Sequence, residues 1–184
     1  VNGKSKVLGI LGHPVGHSFS PVLQNTLGSF FNINMVYVPF DVAPNQVAEA
    51  LKGGHALGIQ GFNVTVPYKK EVMGSLCKIE EKAAQIGAVN TLLYTPEGYQ
   101  GYNTDITGLS KCFLMEGRSL KNKTVVILGA GGAAHAVAVL AASEKAAEIW
   151  IINRTLSKAE ELAALVKKYY RVPIFCEGYE KLMD

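Results

Sequence analysis

Residues 125–134 read Val-Val-Ile-Leu-Gly-Ala-Gly-Gly-Ala-Ala, and this stretch decides the fold of the second half of the chain. The apolar run predicts a buried strand, and G-x-G-x-x-A spacing follows where a helix should begin. Gly129 would allow the tight turn, Gly131 a close approach of backbone to a pyrophosphate, and Ala134 close packing of helix on sheet. The pattern predicts a dinucleotide site, with a purely structural turn as the alternative. The candidate cofactor-binding residues of this turn are Gly129, Ala130, Gly131, Gly132, Ala133 and Ala134.

The end of the next strand indicates which dinucleotide is bound. Enzymes that use NAD commonly place Asp or Glu there to bind the ribose hydroxyls, whereas this chain has Asn153, Arg154 and Thr155, with Lys158 one helical turn beyond Arg154. An acid would repel the 2′-phosphate of NADP, and a guanidinium can bind it with two parallel donors. These residues favour NADP, with a solvated Arg and Lys at a helix start as the alternative.

Strands and helices are predicted to alternate around the glycine turn. A βαβαβ order of this kind is half of a dinucleotide-binding fold. The predicted strands are Thr124–Leu128, Glu148–Ile152 and Val172–Phe175, and the predicted helices are Gly132–Ser143 and Leu156–Tyr169, the latter capped by Thr155 or Ser157.

The first half of the chain also alternates, which indicates an α/β layer architecture. The predicted strands are Val7–Leu11, Met35–Val42 and Gly61–Pro67, with a hairpin of Val89–Tyr94 and Gly98–Asn103. The predicted helices are Pro21–Phe31, Gln46–Lys52 closed by Gly53 and Gly54, Lys70–Leu76 and Ile79–Ile86, before a connector at Ile106–Met115. We expect a substrate-binding and catalytic domain at residues 1–107 and an incomplete, Rossmann-type nucleotide-binding domain at 108–184.

Composition and charge exclude several classes of protein. Eighteen Lys and Arg against fifteen Asp and Glu, scattered along the chain, do not form a nucleic-acid footprint. The apolar stretch Val125–Ala142 is interrupted by glycines and is too short as a helix to span a membrane. Cys77, Cys112 and Cys176 are far apart without CxxC spacing, which predicts a reduced, cytoplasmic protein with no disulfide framework and no metal site. No signal peptide is expected, since the chain passes at once into a strand.

The polar loop Gly12–Pro21 is the first of three candidate substrate-binding clusters. Ser20 before Pro21 is a standard helix start, with Ser20 as N-cap, but this explains nothing about Ser18. Two hydroxyls at a helix start also suit a carboxylate, so both interpretations are open. The loop histidines His13 and His17 could touch a ligand, but loop histidines are usually solvated, so no role is assigned to them.

The second cluster is Gly61–Lys69. Strand alternation predicts Phe62, Val64 and Val66 on one face, with Asn63 and Thr65 on the other. Pro67 should end the strand and leave Lys69 at its carboxyl end. An amide, a hydroxyl and an ammonium there fit a polyol, although Lys69 could equally be a solvated lysine.

The third cluster comprises Asn90, which begins a predicted strand, and Asp105, which lies where the chain leaves the first domain. Either residue could simply cap a turn or helix. Asp105 in particular is a plausible N-cap for the connector helix.

Taken together, HSFSP, GFNVTVPYKK, GAVNTL, GYNTD, GAGGAA and NRT, in this order and spacing, resemble the shikimate dehydrogenase family, nearly continuously from Gly9 to Lys158. The resemblance implies two α/β domains facing a cleft, with substrate on the first and NADP on the second. It also implies reversible reduction of 3-dehydroshikimate to shikimate, in aromatic amino-acid and chorismate biosynthesis.

The resemblance also implies roles for single residues. Ser18 and Ser20 would hold the substrate carboxylate, and Thr65, Asn90 and Asp105 would bind ring hydroxyls. Lys69 would be the acid/base residue close to Asp105, and these two are the expected catalytic pair. A neighbouring carboxylate favours the ammonium form of Lys69 and burial favours the neutral amine, so the sequence leaves that state open. Asn63 would support the site. The cofactor would be bound by Glu81, Gly129–Ala134, Asn153, Arg154, Thr155 and Lys158.

The chain departs from the family pattern in two places. Gln24-Asn25 stands where the family usually has His-Asn, a polar exchange with little effect on the chemistry. The family also continues past the length of this chain, so we expect a fragment or truncated product that holds adenosine phosphate but positions hydride poorly. Turnover measured beside a full-length version tests that expectation, and equal rates would refute it.

Two rival functions are a quinate/shikimate dehydrogenase that uses NAD and a non-catalytic NADP-binding module. Arg154 without a neighbouring acid opposes the first, and the Lys69–Asp105 pair opposes the second. The expected partners are a small-molecule substrate and, as a candidate only, a second copy of the chain in a homodimer. Neither nucleic acid nor membrane is expected.

Overall fold

The structure is a computed structural model that describes residues 1–182, and the chain forms two compact units. Unit 1 comprises Val1–Glu80 and Val89–Tyr102, and unit 2 comprises Glu81–Ala88 and the chain from Asn103 onward. The units are defined by contacts and not by function. The division into a substrate domain at 1–107 and a nucleotide domain at 108–184 therefore stays a prediction.

Unit 1 is a six-stranded mixed sheet with two helices, in the strand order β2-β1-β3-β5-β6-β4. Strand β1 is parallel to both β2 and β3, and β5 is antiparallel to β3 and β6, as the predicted hairpin requires. The elements are β1 (Lys6–Gly12), α1 (Ser20–Phe30), β2 (Met35–Asp41), α2 (Val47–Ala56), β3 (Gly61–Val64), β4 (Lys78–Ile79), β5 (Thr91–Thr95) and β6 (Gly98–Tyr102).

Helix α2 differs from the predicted one because it continues through Gly53 and Gly54. A Cβ on Gly54 would lie 3.1 Å from the ring of Phe62 and 3.3 Å from the hydroxyl of Tyr99. Glycine at this position therefore lets the helix pack closely on the sheet. The chain turns after the helix at Gly58, whose φ of +70° favours glycine.

Other predicted boundaries in the first half also differ from those of the structure. Strand β3 ends at Val64, so the alternation stops there and Val66 is 70% exposed instead of sharing a buried face with Phe62. The helical segment predicted near 70–76 is present as a short 3₁₀ helix, Glu71–Ser75. The predicted helix Ile79–Ile86 begins only at Glu81, because Lys78–Ile79 pairs with β6 as a short parallel strand.

Unit 2 contains a parallel three-stranded sheet in the order β7-β8-β9, which confirms the predicted βαβαβ arrangement. Ile127, Ile149 and Ile151 are buried beneath the two crossover helices. The elements are α3 (Glu81–Ile86), α4 (Asp105–Met115), β7 (Thr124–Leu128), α5 (Gly132–Ser143), β8 (Glu148–Ile152), α6 (Leu156–Lys167) and β9 (Ile174–Glu177), and a 3₁₀ helix follows at Tyr179–Leu182.

One face of the unit 2 sheet carries exposed apolar side chains. Val126 is 55% exposed, Leu128 67% and Phe175 42%, and the Phe175 ring stacks on Trp150 at a centroid distance of 4.6 Å. Parallel sheets are normally covered on both faces. Within residues 1–182, helices α5 and α6 cover only the opposite face of this sheet.

Among residues 1–182, no helix combines the length and apolarity needed to cross a membrane. The described residues contain no cluster of three or more His, Cys, Asp or Glu arranged for a metal ion. Cys77, Cys112 and Cys176 are all free thiols.

Candidate active site

The carboxyl ends of three parallel strands of unit 1 meet at one edge of its sheet. In the strand register Gly12 lies beside Asp41, and Leu11 lies beside Val64. The residues that follow these strands therefore gather at the same edge. In α/β sheets this edge is the usual place for ligands.

The segment after β3 forms a turn that is anchored by the buried side chain of Tyr68. The Thr65 N–H donates to the carbonyl of Leu11 at 3.0 Å, and the Tyr68 N–H donates to the carbonyl of Thr65 at 3.0 Å. The Tyr68 side chain is 1% exposed, and its hydroxyl donates to the carbonyl of Val42 at 2.7 Å. Burial raises the pKa of Tyr68, and the charges of Glu71 and Asp41 raise it further. The next residue, Lys69, is half-buried.

Asn90 joins the same edge from the other side of β3. The Val64 N–H donates to the Asn90 carbonyl at 2.8 Å, and the Val89 N–H donates to the Lys69 carbonyl at 2.7 Å. Asn90 is 8% exposed, and its Oδ1 accepts a hydrogen bond from the Thr91 hydroxyl at 2.8 Å. The structure therefore brings together the segments that carry three predicted substrate-binding residues, Thr65, Lys69 and Asn90.

A cavity of about 290 Å³ opens at this edge, and its wall includes Ser18 and Thr65. The predicted N-cap role of Ser20 is wrong, because Phe19 occupies the cap position and Ser20 is already the first helical residue. The Ser18 Oγ instead accepts a hydrogen bond from the Ser20 N–H at 3.2 Å. Ser18 thus has a structural role that the sequence did not reveal, while its hydroxyl hydrogen is still available to a ligand.

His13 lines the same cavity, and it also pairs with an acid, a contact that the sequence did not predict. Its Nδ1 lies 2.6 Å from Oδ1 of Asp41, the last residue of β2. The pairing follows from the register, since His13 comes directly after Gly12 and Gly12 lies beside Asp41. The signal that could have found it is a histidine and an acid at the carboxyl ends of two neighbouring parallel strands.

Asp105 is the first residue of α4, and the predicted N-cap role belongs to the position of Thr104, which makes no side-chain cap bond. The buried Asn103 orders this helix start: its Oδ1 accepts from the Asp105 N–H at 3.0 Å, and its Nδ2 donates to the carbonyl of Ala88 at 2.9 Å. Asp105 belongs to unit 2 and Lys69 to unit 1. The predicted proximity of the Lys69 and Asp105 side chains stays a prediction.

The glycine turn of unit 2 has the geometry that its sequence predicted. Gly129 has a φ of +109°, which side chains rarely tolerate, and its N–H donates to the carbonyl of Ile152 at 2.7 Å. Gly131 is the N-cap of α5. A Cβ added at either glycine would meet no described atom within 4 Å, so the space beside the turn is open to a phosphate group. Ala134 is buried against the sheet as expected.

His135, which follows this turn, lies inside unit 2. It is 2% exposed, and its Nδ1 lies 2.8 Å from the carbonyl of Ile86. The bond ties α3 to the start of α5. His135 is therefore a structural residue of this unit.

The residues after β8 present an exposed cationic surface. The Asn153 Nδ2 donates to the carbonyl of Thr155 at 2.8 Å, which shapes the turn into α6, and Thr155 occupies the N-cap without a side-chain bond. Arg154 and Lys158 are exposed, and within residues 1–182 neither forms an ion pair with an acidic side chain. The two cations are thus available to an anionic group.

Glu81, the remaining predicted cofactor residue, opens α3. Its Oε1 accepts from the Gln85 Nε2 at 3.2 Å, and its charge adds to the burial that raises the pKa of Tyr170. Tyr170 follows the carboxyl end of α6, whereas the glycine turn precedes the amino end of α5. The contacts of Glu81 therefore do not support its cofactor role, which stays a prediction.

Comparison with known protein families gives two matches that together cover most of the chain. Residues 10–92 match the family described as shikimate dehydrogenase substrate binding domain. Residues 113–181 match the family described as shikimate / quinate 5-dehydrogenase.

Individual relatives agree with these matches. A shikimate dehydrogenase (NADP(+)) of Methanocaldococcus jannaschii is 47% identical over 163 residues, covering 89% of this chain and 57% of that protein. A crystal structure of shikimate dehydrogenase in complex with NADP+ is 44% identical with a TM-score of 0.87, covering 98% of this chain and 63% of the other. The structure of shikimate dehydrogenase from Aquifex aeolicus is 36% identical with a TM-score of 0.88, covering 100% and 67%. The chain thus spans roughly three fifths of the length of the relatives it matches.

Proposed function

Because the chain belongs to the shikimate dehydrogenase family, we propose that the protein is an NADP-dependent oxidoreductase that interconverts 3-dehydroshikimate and shikimate. The single observation that carries the proposal is the edge of the unit 1 sheet where the segments of Thr65, Lys69 and Asn90 are joined by backbone hydrogen bonds. These residues offer a hydroxyl, an ammonium and an amide to one small polyol. The reaction would serve aromatic amino-acid and chorismate biosynthesis.

The substrate carboxylate would bind at the loop before α1, through the hydroxyls of Ser18 and Ser20. Ser18 lines the 290 Å³ cavity, which supports its role, whereas Ser20 is not part of the cavity wall. Thr65 lines the same cavity, and with Asn90 and Asp105 it would bind ring hydroxyls. A small cyclic acid would then lie along the carboxyl ends of the parallel strands.

Lys69 would donate and accept the proton of the reaction. In the direction of reduction, its ammonium donates a proton to the oxygen of the substrate ketone as that oxygen gains charge. In the direction of oxidation, the amine takes the hydroxyl proton back. Asp105 would bind a ring hydroxyl as the other proposed catalytic residue. The hydroxyl of Tyr68 is anchored on the carbonyl of Val42, which holds the backbone next to Lys69 in place.

NADP fits the residues of unit 2. The open space beside Gly129 and Gly131 suits a pyrophosphate, and the exposed cations Arg154 and Lys158 suit the 2′-phosphate. When bound, the nicotinamide supplies the hydride. The protein's own task is to orient the dinucleotide and exclude water from the reacting atoms.

Titration calorimetry with shikimate tests the substrate site. Thr65→Val replaces the hydroxyl by a methyl group, so the dissociation constant should rise about 5-fold to 15-fold, as expected for one lost hydrogen bond. Thr26→Val, on the exposed side of α1, is the matched control and should leave the constant unchanged. Equal affinity of the Thr65 variant and the wild type would contradict the proposal that shikimate binds at this edge of the sheet.

A homodimer and a cytoplasmic location belong to the same proposal. The exposed apolar side chains Val126, Leu128 and Phe175 on the unit 2 sheet would suit a second copy of the chain. Light scattering that gives the mass of a monomer at all protein concentrations would contradict the dimer. The three free thiols are consistent with a reducing compartment.

A further inference from the structure

His13 is held at two points at the edge of the unit 1 sheet. Its backbone N–H donates to the carbonyl of Val66 at 3.1 Å, and its ring nitrogen Nδ1 lies 2.6 Å from Oδ1 of Asp41. An ionised carboxylate can only accept hydrogen bonds, so Nδ1 carries the hydrogen. The remaining ring nitrogen, Nε2, is the polar atom that His13 can offer to a ligand.

The cavity at this edge is suited to an anionic group. His13, His17, Ser18 and Thr65 supply the polar part of its wall, and none of the residues that line it is acidic. Asp41 does not line the cavity, since it approaches the ring of His13 through Nδ1. A ligand in the cavity therefore meets imidazoles and hydroxyls, while the carboxylate that fixes the ring lies outside the wall.

Stability alone does not account for the pair. The side chains of His13 and Asp41 are 44% and 51% exposed, and pairs as exposed as this contribute little to the free energy of folding. Their geometry does, however, fix the direction of Nε2. A carboxylate that orients a histidine through Nδ1 is a common arrangement where the other nitrogen contacts a ligand.

We propose that His13 binds the carboxylate of the substrate through Nε2, with Asp41 as its positioning residue. The inference rests on the proposed function, in which Ser18 binds the same carboxylate. With a hydrogen on each ring nitrogen, His13 donates Nδ1–H to Asp41 and Nε2–H to a carboxylate oxygen of the substrate. His13 thus adds a charged contact to a subsite otherwise formed by hydroxyls.

Two substitutions of His13 distinguish the roles of its two ring nitrogens. His13→Asn keeps a polar group where Nδ1 lies and removes Nε2, whereas His13→Gln places an amide N–H near the position of Nε2. Titration calorimetry with shikimate should give a dissociation constant about tenfold higher for His13→Asn and closer to wild type for His13→Gln. Asp41→Asn should raise it about threefold by releasing the ring, and Glu49→Gln, which removes one exposed acid from α2, should not change it.

The methyl ester of shikimate shows which group of the ligand His13 contacts. If Nε2 binds the carboxylate, the ester should bind the wild type and His13→Asn with the same affinity. If the substitution weakens acid and ester equally, the carboxylate contact is overturned. Circular dichroism of each variant checks that the exposed substitutions leave the fold intact.

Cyclohexanecarboxylate and the NMR signals of the His13 ring separate this inference from the proposed function. If shikimate binds the wild type and His13→Asn equally, the role of His13 is overturned and the proposed function stands. If shikimate does not bind the wild type but cyclohexanecarboxylate shifts the His13 signals and loses affinity in His13→Asn, the role of His13 stands and the proposed function falls. If neither acid shifts the His13 signals and shikimate does not bind the wild type, both are overturned.

Discussion

The ammonium of Lys69 carries the chemistry of the proposed reaction. Its removal in Lys69→Ala should lower kcat by about 10²-fold to 10⁴-fold, the usual contribution of a positioned proton donor. KM should change little, because Thr65 and Asn90 still bind the substrate. Steady-state kinetics measured in both directions provides both quantities.

Lys70 supplies the matched control for Lys69. It is the next residue, has the same charge and is exposed. Lys70→Ala should keep kcat within about twofold of the wild type. If Lys69→Ala retains activity within a few-fold, or if both variants lose activity equally, the role of Lys69 is wrong.

Arg154 is the residue on which the choice of cofactor depends. Arg154→Ala should raise the dissociation constant of NADP by about 10-fold to 100-fold, as expected for lost charge-assisted hydrogen bonds to a phosphate. The dissociation constant of NAD should stay the same, since NAD lacks the 2′-phosphate. Arg171→Ala, at another exposed arginine of unit 2, is the control. Fluorescence titration measures the dissociation constants of both cofactors for the wild type and the two variants. If the dissociation constants of NADP and NAD rise equally in Arg154→Ala, Arg154 does not bind the 2′-phosphate.

At the scale of elements, Gly12 allows β1 to meet the turn after β3. A Cβ at this position would lie 2.5 Å from Cγ2 of Thr65 and 2.9 Å from the carbonyl of Val66. Gly12→Ala should therefore lower the free energy of unfolding by about 1–3 kcal/mol. Gly16→Ala, where a Cβ would meet no described atom within 4 Å, should change it by less than about 0.5 kcal/mol. Urea unfolding measures both, and equal stability of the two variants would contradict the close approach.

The elements of unit 2 were the most predictable from sequence. The predicted bounds of β7, α5 and β8 coincide with those of the structure, because each apolar run is bounded by glycines or polar residues that stop it. Other boundaries depended on packing that the sequence does not show. The glycine pair at residues 53–54 predicted the end of a helix, whereas Gly54 serves the contact of α2 with Phe62.

The candidate site was predictable only where a residue type and a strand end coincide. Thr65 and Asn90 follow or precede clear strands, and the structure places their segments side by side. The bond between Ser18 and Ser20 and the pair of His13 with Asp41 were missed. The first is a detail of local turn geometry, and the second depends on the register of β1 with β2, which no short-range pattern determines.

At the scale of the molecule, the stability of unit 1 should fall in alkaline solution. Burial raises the pKa of Tyr37 to about 12, and burial with the neighbouring Tyr94 raises the pKa of Tyr99 to about 12. Both hydroxyls have a folded pKa above the unfolded value of about 10. Their contribution is therefore complete below pH ~10 and is lost as the pH rises from there towards 12.

Tyrosine substitutions test this dependence. The double variant Tyr37→Phe/Tyr99→Phe should show a smaller loss of unfolding free energy between about pH 10 and 12 than the wild type. Tyr169→Phe, at a half-exposed tyrosine, should behave like the wild type. An unchanged pH dependence in the double variant would mean that these hydroxyls ionise as easily in the folded chain as in the unfolded one.

The proposed activity is tested most directly by mixing the protein with shikimate and either NADP or NAD. The absorbance of the reduced nicotinamide is then followed with time. We predict an absorbance that rises with time in proportion to protein. It should rise faster with NADP than with NAD, and faster in a chain extended to the length of its relatives than in this one. In Lys69→Ala the rate should fall by about 10²-fold or more. The contradicting result is bound shikimate and bound NADP with no rise for either cofactor, both in this chain and in one extended to the length of its relatives.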